Sequence, residues 1–137
     1  MYPEKLVVPM REELTSVGFT EMKSAADVDQ ALKNTSGTTL VVVNSVCGCA
    51  AGMARPGINL ALQNAKVPQN ITTVFAGVDT EATERARNYM LPYPPSSPAM
   101  ALFKDGKLVH MVERHNIEGS NAQNIANDLV KAFNEHC

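Results

Sequence analysis

The sequence predicts an α/β protein with a central mixed β-sheet of four to five strands, flanked by helices on both faces. The segment Thr39–Asn44 contains three consecutive valines without polar alternation, which is typical of a strand buried on both faces. Helix-like and strand-like segments alternate along most of the chain, as in βαβ units. The segment Lys104–Lys107 contains Asp-Gly between two strand-like runs, which indicates a type I′ hairpin and therefore an antiparallel strand pair.

The N-terminal part contains two predicted helices and one short predicted strand. Apolar residues recur at helical spacing over Pro3–Val17, which predicts the first helix. A short strand is predicted over Phe19–Lys23. We expect Ser24 to begin a second helix and Thr35–Gly37 to end it.

The middle of the chain is predicted to form a helix, a strand and another helix. The first helix covers Ala50–Asn64, and we expect Pro56 to bend or divide it because proline lacks the backbone N–H. The strand covers Ile71–Val78, where β-branched residues are frequent. The second helix covers Glu81–Met90, with Thr80 as its expected N-cap.

The C-terminal part is predicted to form the hairpin and a final helix. The hairpin strands are Ala99–Phe103 and Leu108–Glu113. The helix covers Ile117–Glu135, where apolar residues follow one face, and either Asn116 or Ser120 is expected to cap its start.

Composition and charge exclude several classes of function. With 137 residues, 45% of them hydrophobic, the chain is predicted to form a single domain over residues 1–137. A net charge of −2 argues against nucleic acid as a partner. No apolar run approaches the roughly 18 residues that span a membrane. The N-terminus lacks the features of a signal peptide, so we expect a cytoplasmic protein.

The cysteines are the most informative feature of the sequence. Their number is odd, which fits poorly with a disulfide framework: Cys47, Cys49 and Cys137. The Cys47-Gly48-Cys49 motif follows the predicted buried strand and opens a helix, where unpaired N–H groups and the helix dipole favour a thiolate. We therefore expect Cys47 at or just before the helix start, partly exposed, and Cys49 in the first turn, less exposed.

A disulfide between Cys47 and Cys49 would close a small ring, with Gly48 allowing the backbone to bend so that the sulfurs meet. Strain in such a ring makes the bond easier to reduce, which suits thiol–disulfide exchange. Two alternatives remain open, namely inert buried thiols and part of a metal site. No metal ligands are assigned, because none of the further candidates has metal-ligand spacing with the pair: Cys137, His110, His115 and His136.

The segment Asn44–Pro56, which surrounds the cysteine pair, resembles the signature of the bacilliredoxin family. The resemblance covers nearly the whole chain, including the opening Met-Tyr-Pro, the proline-rich Pro92–Pro98 and the closing helix. It implies a thioredoxin-like fold with an extra N-terminal helix. It also implies thiol–disulfide exchange on client proteins that carry a mixed disulfide with bacillithiol, a low-molecular-weight thiol. Bacillithiol is then a substrate and co-reductant, and no bound cofactor is expected.

The resemblance also assigns roles to individual residues. It implies that Cys47 is the nucleophile and Cys49 the resolving thiol, and family members are associated with weak disulfide isomerase activity. A looser similarity to thioredoxins implies a cis bond between Ser97 and Pro98, before the strand beside the active site. Gly48, Ser97 and Pro98 are accordingly the expected substrate-binding residues.

Two positions depart from the thioredoxin pattern. Val46 stands where thioredoxins have a tryptophan, and no acid lies near Val41, where thioredoxins have a buried one. We interpret Arg55 as a solvated or capping residue rather than as a cation for an acidic thiol ligand. We expect the terminal Cys137 to be mobile. Three roles are open for it: an inert thiol, a second resolving thiol or a link between two subunits of a dimer.

The sequence thus supports three competing functions. The first is a thiol–disulfide oxidoreductase that removes bacillithiol from proteins. The second is a disulfide isomerase or oxidant that uses a strained Cys47–Cys49 disulfide, and the third is a metal or metallocluster carrier that uses the same thiols. Metal bound to the purified protein would favour the third, and transfer of bacillithiol to Cys47 would favour the first.

Overall fold

The structure, a computed structural model, describes residues 2–33, 35–46 and 48–137, and of Cys49 it describes the backbone alone. The helices are α1 Glu4–Thr15, α2 Ala25–Leu32, α3 Gly48–Ala61, α4 Thr80–Tyr89, α5 Arg114–Ile117 and α6 Ala122–His136. The strands are β1 Thr20–Glu21, β2 Thr38–Asn44, β3 Asn70–Phe75, β4 Ala99–Lys104 and β5 Lys107–Val112. Within these ranges, no helix combines the length and the apolar character that crossing a membrane requires.

The strands form one mixed sheet of five, in the order β1-β3-β2-β4-β5. β3 runs parallel to β1 and β2, whereas β4 runs antiparallel to β2 and β5. β2 lies at the centre of the sheet, and all of its residues are buried. The predicted sheet and its central buried strand are therefore confirmed.

Each face of the sheet carries its own apolar core, because successive side chains of a strand point to opposite faces. Leu40 and Val42 of β2 pack with residues of α3, α6 and the end of α1. Val41 and Val43 pack with residues of α2 and α4. The two helical layers are thus α3 with α6 on one face and α2 with α4 on the other.

The hairpin between β4 and β5 has the predicted turn. Asp105 has a φ of 52° and Gly106 has a φ of 79°. A type I′ turn requires positive φ at both central residues, which Asp-Gly accommodates at low cost.

The start of α4 differs from the prediction. Its N-cap is Asp79 rather than Thr80, which is the first helical residue. The carbonyl of Asp79 accepts hydrogen bonds from the backbone and the hydroxyl of Thr83, at 2.9 and 2.8 Å. The carboxylate of Asp79 binds Arg11 of α1 at 2.9 Å. The true cap is thus held by an ion pair with a distant helix, which the local sequence does not show.

The predicted C-terminal helix, Ile117–Glu135, begins later than expected: α6 starts at Ala122, and Ile117 instead ends the short helix α5. Gly119, with a φ of 75°, lies in the turn between the two helices. The N-cap of α6 is Asn121, whose side chain accepts from the N–H of Asn124 at 2.8 Å, so the prediction of Asn116 or Ser120 is wrong. Asn116 instead completes the capping box of the single-turn helix α5.

Pro56 does not divide α3, contrary to one of the two outcomes expected for it. Its missing N–H leaves the carbonyl of Gly52 without its helical donor, but Gly52 is exposed, so water can bind that carbonyl.

β3 ends at Phe75 rather than at Val78, because a turn with Gly77 at a φ of 81° follows it.

Candidate active site

The loops around the cysteine motif and the proline-rich segment meet at one edge of the sheet. β2 and β4 are antiparallel, with Val43 opposite Ala99. The segment that follows β2 therefore lies beside Pro98, which precedes β4. The turn after β3 joins the same edge, because the N–H of Ala76 donates to the carbonyl of Asn44 at 3.0 Å.

Of the predicted catalytic residues, Cys47 precedes α3 in the chain and Cys49 belongs to its first turn. Cys47 and the side chain of Cys49 lie outside the described residues, so the expected exposure and roles of both thiols remain predictions. The backbone of Cys49 belongs to the first turn of α3, where it was expected.

Gly48 is the first residue of α3 and has a φ of 44°. Its N–H donates to the carbonyl of Val46 at 2.7 Å, which gives a tight turn before the helix. A Cβ built on Gly48 would meet no described atom within 4 Å. Positive φ, rather than lack of space, therefore favours glycine at this position.

Arg55 of α3 lies buried beside the segment that follows β2, with 8% of its surface exposed. Its Nη1 donates to the carbonyl of Ser45 at 2.9 Å and to Oδ1 of Asn44 at 3.3 Å. Its Nε donates to the carboxylate of Glu13 on α1. The interpretation of Arg55 as a solvated or capping residue is therefore wrong, because partners from α1 and from the end of β2 bury it.

Asn44, the last residue of β2, connects the same segment to α1. Its Nδ2 donates to the carbonyl of Met10 at 3.1 Å, and its Oδ1 accepts from the N–H of Ser45 at 2.9 Å. Asn44 and Ser45 are each 2% exposed. Buried polar groups need such partners, and these contacts fix the backbone just before Cys47.

The proline-rich loop, residues 91–98, forms the other side of the site. The Ser97–Pro98 bond is cis, as expected, and so is Leu91–Pro92, which was not predicted. Leu91 is 67% and Tyr93 41% exposed, so the loop carries apolar side chains that are open to solvent.

Two arginines bind the backbone of the proline-rich loop. Arg87 of α4 donates from Nη2 to the carbonyl of Ser96 at 3.4 Å, and burial lowers the pKa of Arg87. Arg114 of α5 donates from Nη1 to the carbonyl of Ser97 at 3.1 Å, and its N–H donates to Oγ of Ser96 at 3.3 Å. The two arginines thus bind Ser96 and Ser97, the residues just before Pro98, and they bring positive charge to this side of the site.

Comparison with known proteins identifies the family. The chain matches a protein family described as Disulphide isomerase over residues 2–137. A protein of Cytophaga hutchinsonii named bacilliredoxin is 56% identical over 135 residues, which are 98% of this chain and 99% of that protein. The chain belongs to the bacilliredoxin family. A second bacilliredoxin, from Staphylococcus aureus, is 50% identical over 137 residues, which are 100% of this chain and 94% of that one.

Solved structures share the fold of this bacilliredoxin family member. Mitochondrial thioredoxin 3 of Saccharomyces cerevisiae aligns with a TM-score of 0.58 at 14% identity, over 90% of this chain and 98% of that one. Thioredoxin of Fasciola hepatica aligns with a TM-score of 0.56 at 17% identity, over 84% of this chain and 99% of that one. The predicted thioredoxin-like fold is confirmed.

The other residues that the sequence singles out are a valine of β2, two histidines and the C-terminal cysteine. Val41 is fully buried in an apolar core. The side chain of His115 is 71% exposed, and His110 contacts Asp128 at 3.0 Å. Cys137 is exposed at the end of α6. In the described part of the chain, no group of three or more His, Cys, Asp or Glu residues could hold a metal ion.

Proposed function

We propose that the protein is a thiol–disulfide oxidoreductase that removes bacillithiol from S-bacillithiolated proteins through Cys47-Gly48-Cys49. The observation that carries this proposal is that the motif follows the central strand β2 and includes the first residues of α3, in a thioredoxin-like fold. Unpaired N–H groups of a first helical turn favour a thiolate at such a position. Membership of a family whose members are named bacilliredoxins supports the same chemistry.

The proposed reaction begins when the Cys47 thiolate attacks the bacillithiol sulfur of the mixed disulfide. A Cys47–bacillithiol disulfide forms, and the cysteine of the client protein leaves as a thiolate, which then takes up a proton. The client is thereby reduced, and the adduct on Cys47 retains the disulfide.

The adduct can be released in two ways. In the first, the Cys49 thiolate attacks the sulfur of Cys47, bacillithiol leaves as a thiolate, and the new Cys47–Cys49 disulfide is the oxidised product. In the second, free bacillithiol attacks the adduct, which yields bacillithiol disulfide and regenerates the Cys47 thiolate. The first route needs a later reductant for the pair, and we propose that bacillithiol in a reducing cytoplasm serves as one.

Gly48, Ser97 and Pro98 are the proposed substrate-binding residues. The register of β2 and β4 supports this assignment, because it brings Pro98 beside the segment that leads into the motif. The substrates are client proteins modified by bacillithiol, together with free bacillithiol. No resident metal or cofactor takes part in these steps.

Release of bacillithiol from a purified S-bacillithiolated protein tests this proposal. With free bacillithiol present, we expect turnover by the wild-type protein and by Cys49→Ser, and loss of turnover to background in Cys47→Ser. Cys137→Ser is the matched control and should retain turnover, because Cys137 lies outside the motif. Turnover by Cys47→Ser at the wild-type rate would contradict the proposal.

Disulfide isomerisation is a second candidate, favoured by the description of the family as Disulphide isomerase. An isomerase would use the Cys47–Cys49 pair to rearrange wrong disulfides in a client without bacillithiol. Reactivation of a protein with scrambled disulfides, measured without bacillithiol, distinguishes the two activities. Reactivation faster than bacillithiol removal would favour the isomerase.

A further inference from the structure

Arg55 is a buried cation that contacts Asn44 and Ser45, the residues at and just after the end of β2 that precede the cysteine motif. Its side chain is 9% exposed, whereas that of its partner Glu13 is 47% exposed. Burial of a charge is costly unless the charge is paired and hydrogen-bonded. The hydrogen bonds from Arg55 to Ser45 and Asn44 supply part of this compensation at the end of β2.

The contacts of Arg55 continue into the N-terminal helix. Glu13 accepts from Nε of Arg55, and the carbonyl of Glu13 accepts from Nδ2 of Asn59 at 3.3 Å. The carbonyl of Met10 accepts from Asn44 at 3.1 Å. α1 therefore contacts both α3 and the end of β2. These two elements hold the two ends of residues 45–49, which we call the cysteine segment.

We propose that Arg55 and Glu13 form a positioning pair for the cysteine segment, through which α1 adjusts the reactivity of Cys47. This inference rests on the proposed function, because it concerns the nucleophilic thiol. Arg55 holds the carbonyl of Ser45, two residues before Cys47, and adds positive charge at that carbonyl. Glu13 holds the guanidinium in place and offsets part of that charge.

The pair has two separable effects on Cys47, since a nearby cation stabilises a thiolate and a nearby anion destabilises it. Loss of the Arg55 charge should raise the pKa of the Cys47 thiol. Loss of the Glu13 charge should lower that pKa, because Arg55 stays tethered to Ser45 and Asn44. A purely structural role would instead move both variants in the same direction.

The test is the pH dependence of alkylation of reduced Cys47 by iodoacetamide, followed by peptide mass spectrometry. We expect Arg55→Gln to raise the midpoint by about one pH unit, equivalent to roughly tenfold slower alkylation at neutral pH. Glu13→Gln should lower the midpoint, and Arg55→Lys should restore part of the wild-type value. Arg85→Gln, which removes an arginine from α4, is the matched control and should leave the midpoint unchanged.

Two results would overturn the inference. One is a midpoint that neither Arg55→Gln nor Glu13→Gln changes, and the other is a shift of both variants in the same direction. If Arg55→Gln does not fold, the opposite shifts of Glu13→Gln and Arg55→Lys relative to wild type decide the question. A wild-type midpoint at about 8.5 would contradict the low-pKa thiol of the proposed function, while the relative shifts of the variants would still test the pair.

Discussion

Two arginine pairs, one on each face of the sheet, differ in how far they are buried. On the face covered by α3, Arg55 binds Glu13 with a side chain that is 9% exposed, and it also binds the end of β2. On the opposite face, Arg85 of α4 binds Asp29 of α2 through two hydrogen bonds of 2.9 and 2.8 Å, with a side chain that is 45% exposed. Exposed pairs contribute little to stability, whereas a buried cation makes its partners necessary. The buried pair of Arg55 and Glu13 thus lies beside the backbone just before Cys47, and the exposed pair of Arg85 and Asp29 lies where α2 packs on α4.

The two faces also differ in the contacts between their helices. α3 meets α6 at Gly57, where an added Cβ would lie 2.8 Å from Cγ2 of Ile125 and 3.1 Å from the carbonyl of Ala122. Between α2 and α4, the bidentate pair of Asp29 and Arg85 lies at the surface. α3, which begins within the cysteine motif, is therefore fixed by close packing on α6 and by the buried hydrogen bonds of Arg55.

The largest expected effect tests this packing. Gly57→Ala should destabilise the fold by about 1–3 kcal/mol, because its Cβ overlaps Ile125 and neighbouring backbone. Gly52→Ala in the same helix is the matched control: its Cβ would meet nothing within 4 Å, so the change should be neutral or stabilising. Denaturant unfolding of both variants measures the difference. Equal stability of the two variants would show that α3 and α6 can move apart without cost.

A smaller effect is expected on the other face and depends on pH. The Arg85 guanidinium, and then the Tyr89 hydroxyl, hold the pKa of Asp29 below its ordinary value of 3.8. A lowered folded-state pKa means that the pair stabilises the fold above this ordinary value and loses that contribution as the pH falls through the folded-state pKa. Asp29→Asn should therefore be less stable than wild type near neutral pH, and the difference should shrink in acid.

Unfolding midpoints in urea for wild type and Asp29→Asn, taken at neutral pH and again below pH 3.8, measure this dependence. A difference that stays constant across the range would show that Asp29 acts through packing rather than charge. A large difference at neutral pH would contradict the contrast between the faces, since an exposed pair is expected to contribute little.

Elements with strong local signals were predictable from the sequence. The valine run of β2 and the Asp-Gly turn carry their own conformational preferences, and so does Ser24, whose side chain accepts from the N–H of Asp27. The N-cap at Asp79 was not predictable, because Arg11 binds it from a helix 68 residues away in the chain. The turn at Gly119 was missed because Ile117 and Ile125, on either side of it, are eight residues apart and fit one helical face.

In the candidate site, too, the local motifs were predictable from the sequence and the long-range contacts were not. The cysteine motif and Pro98 stand out as local patterns, and the resemblance to a family marks them. The burial of Arg55 depends on Glu13, 42 residues away, so it follows from the packing of α1 on α3. Neither Arg87 nor Arg114 carries a local signal for binding the proline-rich loop: Arg87 reaches it from α4, and Arg114 reaches it because β5, which precedes Arg114, pairs with β4.

The most direct test of the central claim, that Cys47 is the attacking thiol, is the site of the bacillithiol adduct. Reduced wild type, Cys47→Ser and Cys49→Ser are mixed with bacillithiol disulfide, and intact mass and peptide mass spectrometry locate the adduct. Cys49→Ser should accumulate a stable adduct on Cys47, because no resolving thiol follows, whereas Cys47→Ser should form little. An adduct found mainly on Cys49 in the wild-type protein would show that the roles of the two thiols are reversed.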